Sequence, residues 1–149
     1  MATGDAVDGS SDGRRWVLSF RVHHPCADLA ALAERVGEAF GADRRVLWRE
    51  GEMDSRARPP KPRRSSYCSV RWPNQGGSLE QALEDALAAL APLQAELAEL
   101  RATGGRFDFF AGLFFLRTMG VALPPALLAR LGAAGVELQL DLYGGGAGA

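Results

Sequence analysis

The strongest constraint on the fold is a hydrophobic alternation with a period of two, which is clearest near the C-terminal end. In the segment 136–142 every second residue is Val or Leu, and the residues between them are Glu, Gln and Asp. Such an alternation predicts a half-buried β-strand. The inward-facing residues of this strand are predicted to be Val136, Leu138, Leu140 and Leu142.

Other segments repeat the alternation, and together they define a sheet. The pattern predicts strands over 15–22, 45–49, 67–72 and 107–111. Each clear strand has one apolar and one polar side, instead of being apolar on both. This favours a mainly antiparallel sheet with one covered face and one open face.

Three segments place apolar residues three or four positions apart, as amphipathic helices do. They span 29–40, 79–100 and 125–131. Ser78 is predicted to cap the longest helix, and Gln81 completes the sequence pattern of a capping box. Pro92 removes a backbone N–H inside this helix, which predicts a kink or break near 88–91. The leucine spacing also fits a coiled coil, but Pro92 favours a helix packed on a sheet.

The predicted order is strand, helix, strand, strand, helix, strand, helix, strand. It indicates a two-layer α+β sandwich, ferredoxin-like in outline, with a mainly antiparallel sheet and helices on one face. We expect one domain over 14–143, flanked by disordered tails at 1–13 and 144–149. The segment 51–65 is predicted to be an exposed basic loop, because its three prolines and five basic residues offer little to pack.

Composition limits the classes of partner. The 149 residues include 17 basic and 18 acidic ones, so global charge favours neither nucleic acid nor an anionic membrane. No apolar run reaches the roughly 20 residues that span a bilayer. Two cysteines are too few for a disulfide framework and indicate a reducing compartment. We expect a soluble cytoplasmic protein that binds neither nucleic acid nor membrane.

A series of short motifs resembles a known bacterial family. The motifs are WREGE at 48–52, LRATGG at 100–105, GLF at 112–114, LPPALLARL at 123–131 and LQLDLY at 138–143. With the early strand from Trp16, they make residues 15–143 similar to the family DUF4279, a bacterial domain of unknown function. The resemblance implies an α+β fold and brings no activity, cofactor or catalytic residue. Small bacterial domains of this kind sometimes accompany toxins as immunity proteins, which is an analogy only.

Residues with catalytic or metal-binding chemistry form no recognisable motif. His23, His24, Cys26 and Cys68 offer zinc-type ligands, but the paired spacing of zinc sites is missing. Cys68 also alternates with apolar neighbours, which is typical of a buried Cys. No nucleophile elbow or identifiable base accompanies either thiol. We therefore expect no enzyme, no metal site and no cofactor.

The candidate binding surface is the open face of the sheet. The residues predicted to share it are Arg21, Tyr67, Ser69, Arg71, Asp108, Phe110, Gln139, Asp141 and Tyr143. Mixed charge combined with Tyr and Phe is typical of an interface. Pairing of Arg21 or Arg71 with Asp108 or Asp141 across strands explains the same residues without a partner. Both interpretations stay open.

The basic loop is a second candidate. Its five cations, which fit an acidic or phosphate-bearing ligand as well as a solvated loop, are Arg56, Arg58, Lys61, Arg63 and Arg64. Our leading hypothesis is a non-enzymatic module that recognises a protein partner through the open face and this loop, with an immunity-type inhibitor as one form. One alternative is a regulator that holds a small ligand or nucleotide between loop and sheet. The other is a structural homodimer formed through open faces or edge strands.

Overall fold

The computed structural model describes residues 15–42, 44–73 and 76–145. Its strands are β1 (Arg15–His24), β2 (Arg45–Trp48), β3 (Met53–Asp54), β4 (Lys61–Pro62), β5 (Ser66–Arg71), β6 (Arg106–Phe115) and β7 (Glu137–Gly144). Its helices are α1 (Ala30–Phe40), α2 (Leu79–Leu90), α3 (Gln94–Ala102) and α4 (Pro125–Ala134). The predicted tail 1–13 and residues 146–149 lie outside the described residues. Gly144, predicted to begin the second tail, instead ends β7.

Five strands form one sheet in the order β2-β5-β1-β6-β7. All neighbours are antiparallel except β6 and β7, which run parallel and are joined through α4. Along the chain, β1, α1, β2, β5, α2 and β6 follow the strand and helix order of the ferredoxin-like fold, in which β1 and β2 are separated in the sheet by β5. The unit α4-β7 adds a fifth strand at one edge. The predicted α+β sandwich with a mainly antiparallel sheet is confirmed.

The core lies between the sheet and the helices, where the strand alternation predicts it. Leu18, Phe20 and Val22 of β1 are fully buried, and the residues between them are only half-buried. Phe20 lies at the centre of this core, with its ring centroid 5.4 Å from that of Phe109 and 6.2 Å from that of Phe107. Aromatic pairs of this kind contribute about 0.5–1.5 kcal/mol beyond their buried area. The covered face of the sheet is therefore a packed apolar layer.

The structure confirms the predicted N-cap and the predicted break of the longest helix, but not the complete capping box. The Ser78 hydroxyl accepts a hydrogen bond of 3.1 Å from the backbone N–H of Gln81, which caps α2 as predicted. The Gln81 side chain donates to Asp85 instead of returning to Ser78, so the predicted capping box is only half formed. Helix α2 ends at Leu90, and a 3-10 turn containing Pro92 separates it from α3. The predicted break is confirmed, because proline lacks the N–H that would continue the helix.

The last strand has the predicted alternation, but part of its predicted burial is wrong. Val136 is buried and Leu138 packs against the core, whereas Leu140 is 39% exposed and Leu142 is 65% exposed. Both leucines lie on the helix side of the sheet, beside Ala111 and Leu113 of β6. They are exposed because β7 is the edge strand and the helix layer covers only its beginning. Alternation predicts which face a side chain occupies, and not whether another element covers that face.

The basic loop has more structure than the sequence predicts. Strands β3 and β4 pair within it. The ladder continues through two backbone hydrogen bonds: the N–H of Gly51 donates to the carbonyl of Arg63 at 2.9 Å, and the N–H of Arg63 donates to the carbonyl of Glu52 at 2.8 Å. Pro62 is accommodated because a two-stranded ribbon leaves one side of each strand without a ladder partner. We call residues 51–65 the basic hairpin. Most of its side chains are exposed, as predicted.

Candidate functional site

The strand register places all nine predicted residues on the open face of the sheet. Arg21 of β1 lies opposite Ser69 of β5 on one side and Asp108 of β6 on the other. In turn Phe110 of β6 lies beside Gln139 of β7. The remaining members follow by alternation within each strand: Tyr67, Arg71, Asp141 and Tyr143. We use the term open face for this side of the sheet.

A partly buried ion pair occupies the centre of the open face. The Nε atom of Arg21 donates a hydrogen bond of 2.6 Å to a carboxylate oxygen of Asp108, and the two side chains are 19% and 11% exposed. The Arg21 guanidinium also donates to the Gln139 side chain at 3.0 Å and lies 4.6 Å from the Phe110 ring centroid. Burial lowers the pKa of Arg21, but the hydrogen bond and charge of Asp108 outweigh it, so the pKa is raised. Arg21 and Asp108 therefore form the cross-strand pair that the sequence allowed as an explanation without a partner.

His23 adds a titratable group to this centre. Its Nε2 atom is 3.4 Å from the second Asp108 oxygen, and its ring lies 5.0 Å from that of Tyr67. Burial lowers the pKa of His23, and the positive charges of Arg21 and Arg106 lower it further; Asp108 raises it but not enough to compensate. The imidazole is therefore held in its neutral form near pH 7.

Stacked rings border the centre on both sides. On the β2 side the Tyr67 ring stacks on Trp48 at 4.4 Å, and Arg63 of the basic hairpin covers Trp48 at 4.0 Å. On the β7 side the Tyr143 ring stacks on Phe114 at 4.8 Å. There the Tyr143 hydroxyl and the Gln139 amide each approach Asp141 at 3.3 Å. These contacts satisfy the polar groups of this half of the face within the chain itself. We call it the paired half, defined by Arg21, His23, Tyr67, Asp108, Gln139, Asp141 and Tyr143.

The other half of the open face is a groove lined by arginines. Two adjoining cavities of about 510 and 560 Å³ meet at Val17, Arg44 and Arg71. Arg15, Trp72 and Phe114 also border the first cavity, and the second extends to Arg21 and Tyr67 at the boundary with the paired half. Neither lining includes an acidic residue. We call this region, defined by Arg15, Val17, Arg44, Arg71, Trp72 and Phe114, the arginine groove.

Arg44 and Arg71 are held next to each other by the backbone. The N–H of Arg71 donates a 3.1 Å hydrogen bond to the carbonyl of Arg44, which continues the β2-β5 register by one pair. Two like charges in directly opposed positions are unfavourable. In the part of the chain that the structure describes, no acidic side chain lies within 4.0 Å of either guanidinium. Among the described residues, these two positive charges therefore have no acidic side chain that compensates them.

The basic hairpin divides the five predicted cations into two groups. Lys61, Arg63 and Arg64 border a cavity of about 390 Å³ together with Trp48. Arg63 is also 3.4 Å from Asp54, which partly neutralises it. Arg56 and Arg58 lie apart from this cavity, and the Arg58 guanidinium donates to the backbone carbonyl of Ser55 at 2.8 Å.

His24 at the end of β1 and Cys68 of β5 have structural roles. Nδ1 of His24 accepts hydrogen bonds from the backbone N–H groups of Cys26 and Ala27, so Nε2 carries the hydrogen that it shares with Thr103 at 2.8 Å. The Cys68 thiol is fully buried, and this burial raises its pKa to about 12. A thiol with such a pKa is a poor nucleophile. Over the described ranges, no three His, Cys, Asp or Glu residues cluster as metal ligands would.

Sequence reasoning missed several residues of the open face. His23 and Trp48 follow the same alternation as Arg21 and Tyr67, so extending each strand by one pair would have included them. Arg44 carried no such signal, because β2 is short and Arg45, Val46 and Leu47 are all exposed.

Comparison with known proteins agrees with the motifs. The fold defines a ferredoxin-like α+β domain with an open sheet face. The family model described as domain of unknown function (DUF4279) matches residues 45–145, from β2 to the end of β7. The chain belongs to this family, as its motifs indicate. A comparison with curated proteins found no match. Within the described residues, no helix combines the length and apolar character needed to cross a membrane.

Proposed function

We propose that the protein is a non-enzymatic binding module that recognises an acidic surface of a protein partner through the arginine groove. The observation that carries this proposal is the opposed pair Arg44 and Arg71, which shares one face and has no acidic side chain within 4.0 Å among the described residues. A carboxylate placed between them would relieve their repulsion and could accept paired hydrogen bonds from either guanidinium. Asp or Glu side chains of a partner have this chemistry.

The surroundings of the groove favour a protein over a nucleic acid. The half-buried Trp72 lies beside the arginines, and Trp and Arg are both enriched in the energetic centres of protein interfaces. Single-stranded nucleic acids bind by stacking their bases on aromatic side chains, and the faces of those rings must be free. On this sheet Phe114 is stacked with Tyr143, and Tyr67 is stacked with Trp48, so these rings are already engaged. The net charge of −1 also lacks the positive excess of most nucleic-acid-binding domains.

The basic hairpin extends this surface. Arg63 attaches the hairpin to Trp48 at the border of the open face, and Lys61 and Arg64 remain exposed beside it. Electrostatic attraction from these cations would accelerate the encounter with an acidic partner. If the partner is a toxin, the protein is an immunity-type inhibitor.

Charge reversal tests the proposal. A tagged wild-type chain, an Arg71→Glu variant and an Arg130→Glu variant are used as bait in nuclease-treated lysate of the native host. Arg130 is exposed on α4, away from the groove, so its reversal changes the total charge equally. We expect one protein in near-equal amount with wild type and Arg130→Glu, and its loss with Arg71→Glu. Equal recovery by Arg71→Glu, with an unchanged circular dichroism spectrum, would contradict the proposal.

A second candidate function is supported by the cavity at the basic hairpin. Its volume of about 390 Å³ fits a small phosphate-bearing ligand, and three cations border it against the single carboxylate of Asp54. Titration calorimetry with inorganic pyrophosphate tests it. Heat of binding that disappears in Lys61→Glu but persists in Arg71→Glu would assign a small anion to the hairpin. No heat with the wild-type chain would remove this candidate.

A further inference from the structure

The sheet has two edges, and β7 forms the more exposed one. It has eight residues, of which Leu140, Leu142 and Tyr143 are between 39% and 65% exposed. An edge strand offers unpaired backbone N–H and C=O groups to another strand. Natural proteins usually protect such an edge with Lys, Pro, a bulge or a very short strand. The sequence ELQLDLYG contains no Lys, Arg or Pro, and its pairing with β6 runs through eight consecutive residues.

The opposite edge differs in these respects. Strand β2 has only four residues and begins with Arg45, whose guanidinium lies against Gly37 of α1. Gly51, three residues after β2, is hydrogen-bonded to Arg63 in the basic hairpin. The short length and the flanking arginine limit pairing by another strand. The long unprotected edge is therefore β7.

We propose that β7 pairs with β7 of a second copy of this chain, antiparallel about a two-fold axis at Leu140. Two-fold antiparallel pairing keeps the helix layers of both copies on the same side. In this register Leu140 faces Leu140 of the second copy, and Leu138 faces Leu142 of the second copy. The leucines that are exposed in the single chain then form one continuous apolar row between two helix layers.

Charge selects this register over its neighbours. With the axis at Leu140, Gln139 faces Asp141 of the second copy, and an amide donor meets a carboxylate. With the axis one residue later, Asp141 faces Asp141. With the axis one residue earlier, Glu137 faces Asp141. Like charges in directly opposed positions are unfavourable, so only the Leu140 register combines a full overlap of the strands with compatible charges.

The dimer is independent of the proposed partner binding. The arginines of the groove lie on or next to β1, β2 and β5, whereas the pairing uses the outer backbone edge of β7. Joining two copies would produce one ten-stranded sheet whose open face carries two arginine grooves. Either property can fail without the other.

Sedimentation equilibrium of the full chain tests the dimer with a matched pair of variants. Leu140→Lys places a charge at the axis, and Leu47→Lys places it at a leucine of 46% exposure on the other edge strand. We expect twice the monomer mass of 15.9 kDa for wild type and for Leu47→Lys. For Leu140→Lys we expect a dissociation constant higher by on the order of a hundredfold, because each dimer receives the charge twice. A monomeric wild type, or a Leu140→Lys variant as dimeric as Leu47→Lys, would overturn the proposal.

Oxidative cross-linking tests the register separately. The exposed thiol of Cys26 is first removed by Cys26→Ser, and Leu140→Cys or Leu47→Cys is then added. Opposed residues of antiparallel strands have Cα separations of about 4.5–5.5 Å, which a disulfide can bridge. We expect disulfide-linked dimers from Leu140→Cys and none from Leu47→Cys. The opposite result would overturn the assignment to β7.

Discussion

The paired half and the arginine groove both contain arginines, but over the part of the chain that the structure describes, only in the paired half is an arginine held by an acidic side chain of the same chain. In the paired half, Arg21 is held by Asp108 and Gln139, and nearly every polar group has a partner within the chain. In the arginine groove, Arg44 and Arg71 face each other across two strands without an acidic neighbour among the described residues. Removing one member of the Arg21–Asp108 pair would leave the other charge unpaired, whereas the opposed charges of Arg44 and Arg71 repel each other. This contrast is the reason why the proposed partner site lies in the arginine groove and not in the paired half.

The largest effect on stability is expected at Asp108. Replacing it in Asp108→Ala leaves the Arg21 guanidinium, 19% exposed, without its carboxylate. We expect a loss of about 2–3 kcal/mol, below the cost of breaking a fully buried pair because some solvent reaches the site. Urea denaturation gives the free energy of unfolding. Asp141→Ala on the same face is the control, and an equal loss there would show that Asp108 has no special role.

A smaller effect of opposite sign is expected in the arginine groove. Arg44→Gln removes one of the two opposed positive charges, so the free energy of unfolding should rise by about 0.2–0.5 kcal/mol at low salt. Added salt should reduce this gain, because it screens the repulsion that the substitution removes. Arg130→Gln on α4 is the control and should change little. A destabilised Arg44→Gln variant would mean that Arg44 has a stabilising contact, which would remove the contrast between the halves.

The smallest effect is a pH dependence centred on His23. Its pKa in the folded chain is lowered from the ordinary value of 6.5, first by burial and then by Arg21 and Arg106. The unfolded chain therefore binds this proton more readily, and stability should fall as the pH drops below about 6.5. His23→Gln should remove part of this slope in denaturation experiments at a series of pH values. Identical slopes for both proteins would contradict the lowered pKa.

Much of this surface could be predicted from the sequence, because alternation assigns each strand residue to a face. It placed Arg21, Tyr67 and Asp108 together before any strand order was known. It could not predict the contact between Arg21 and Asp108, because that contact requires β1 to lie beside β6. Alternation assigns residues to the two faces of a strand but does not indicate which strands are neighbours. Contacts within the face therefore had to come from the structure.

The remaining errors have related causes. Arg44 was missed because it precedes a short edge strand whose first three residues are all exposed, so hydrophobic alternation gives no signal there. Leu140 and Leu142 were assigned to the correct face but to the wrong environment, since burial at an edge depends on what covers it. The basic hairpin was missed because prolines normally argue against strands, yet two-residue strands tolerate one.

The most direct test of the account compares one neutralised charge from each half. The partner recovered with wild-type bait is titrated calorimetrically against wild type, Arg71→Gln and Asp141→Asn. We expect Arg71→Gln to weaken binding by about tenfold or more, because it removes one guanidinium from the groove. Asp141→Asn should change the affinity less than about twofold, since Asp141 is engaged by Gln139 and Tyr143. Equal affinities for all three proteins, or a larger loss with Asp141→Asn, would contradict the assignment of binding to the arginine groove.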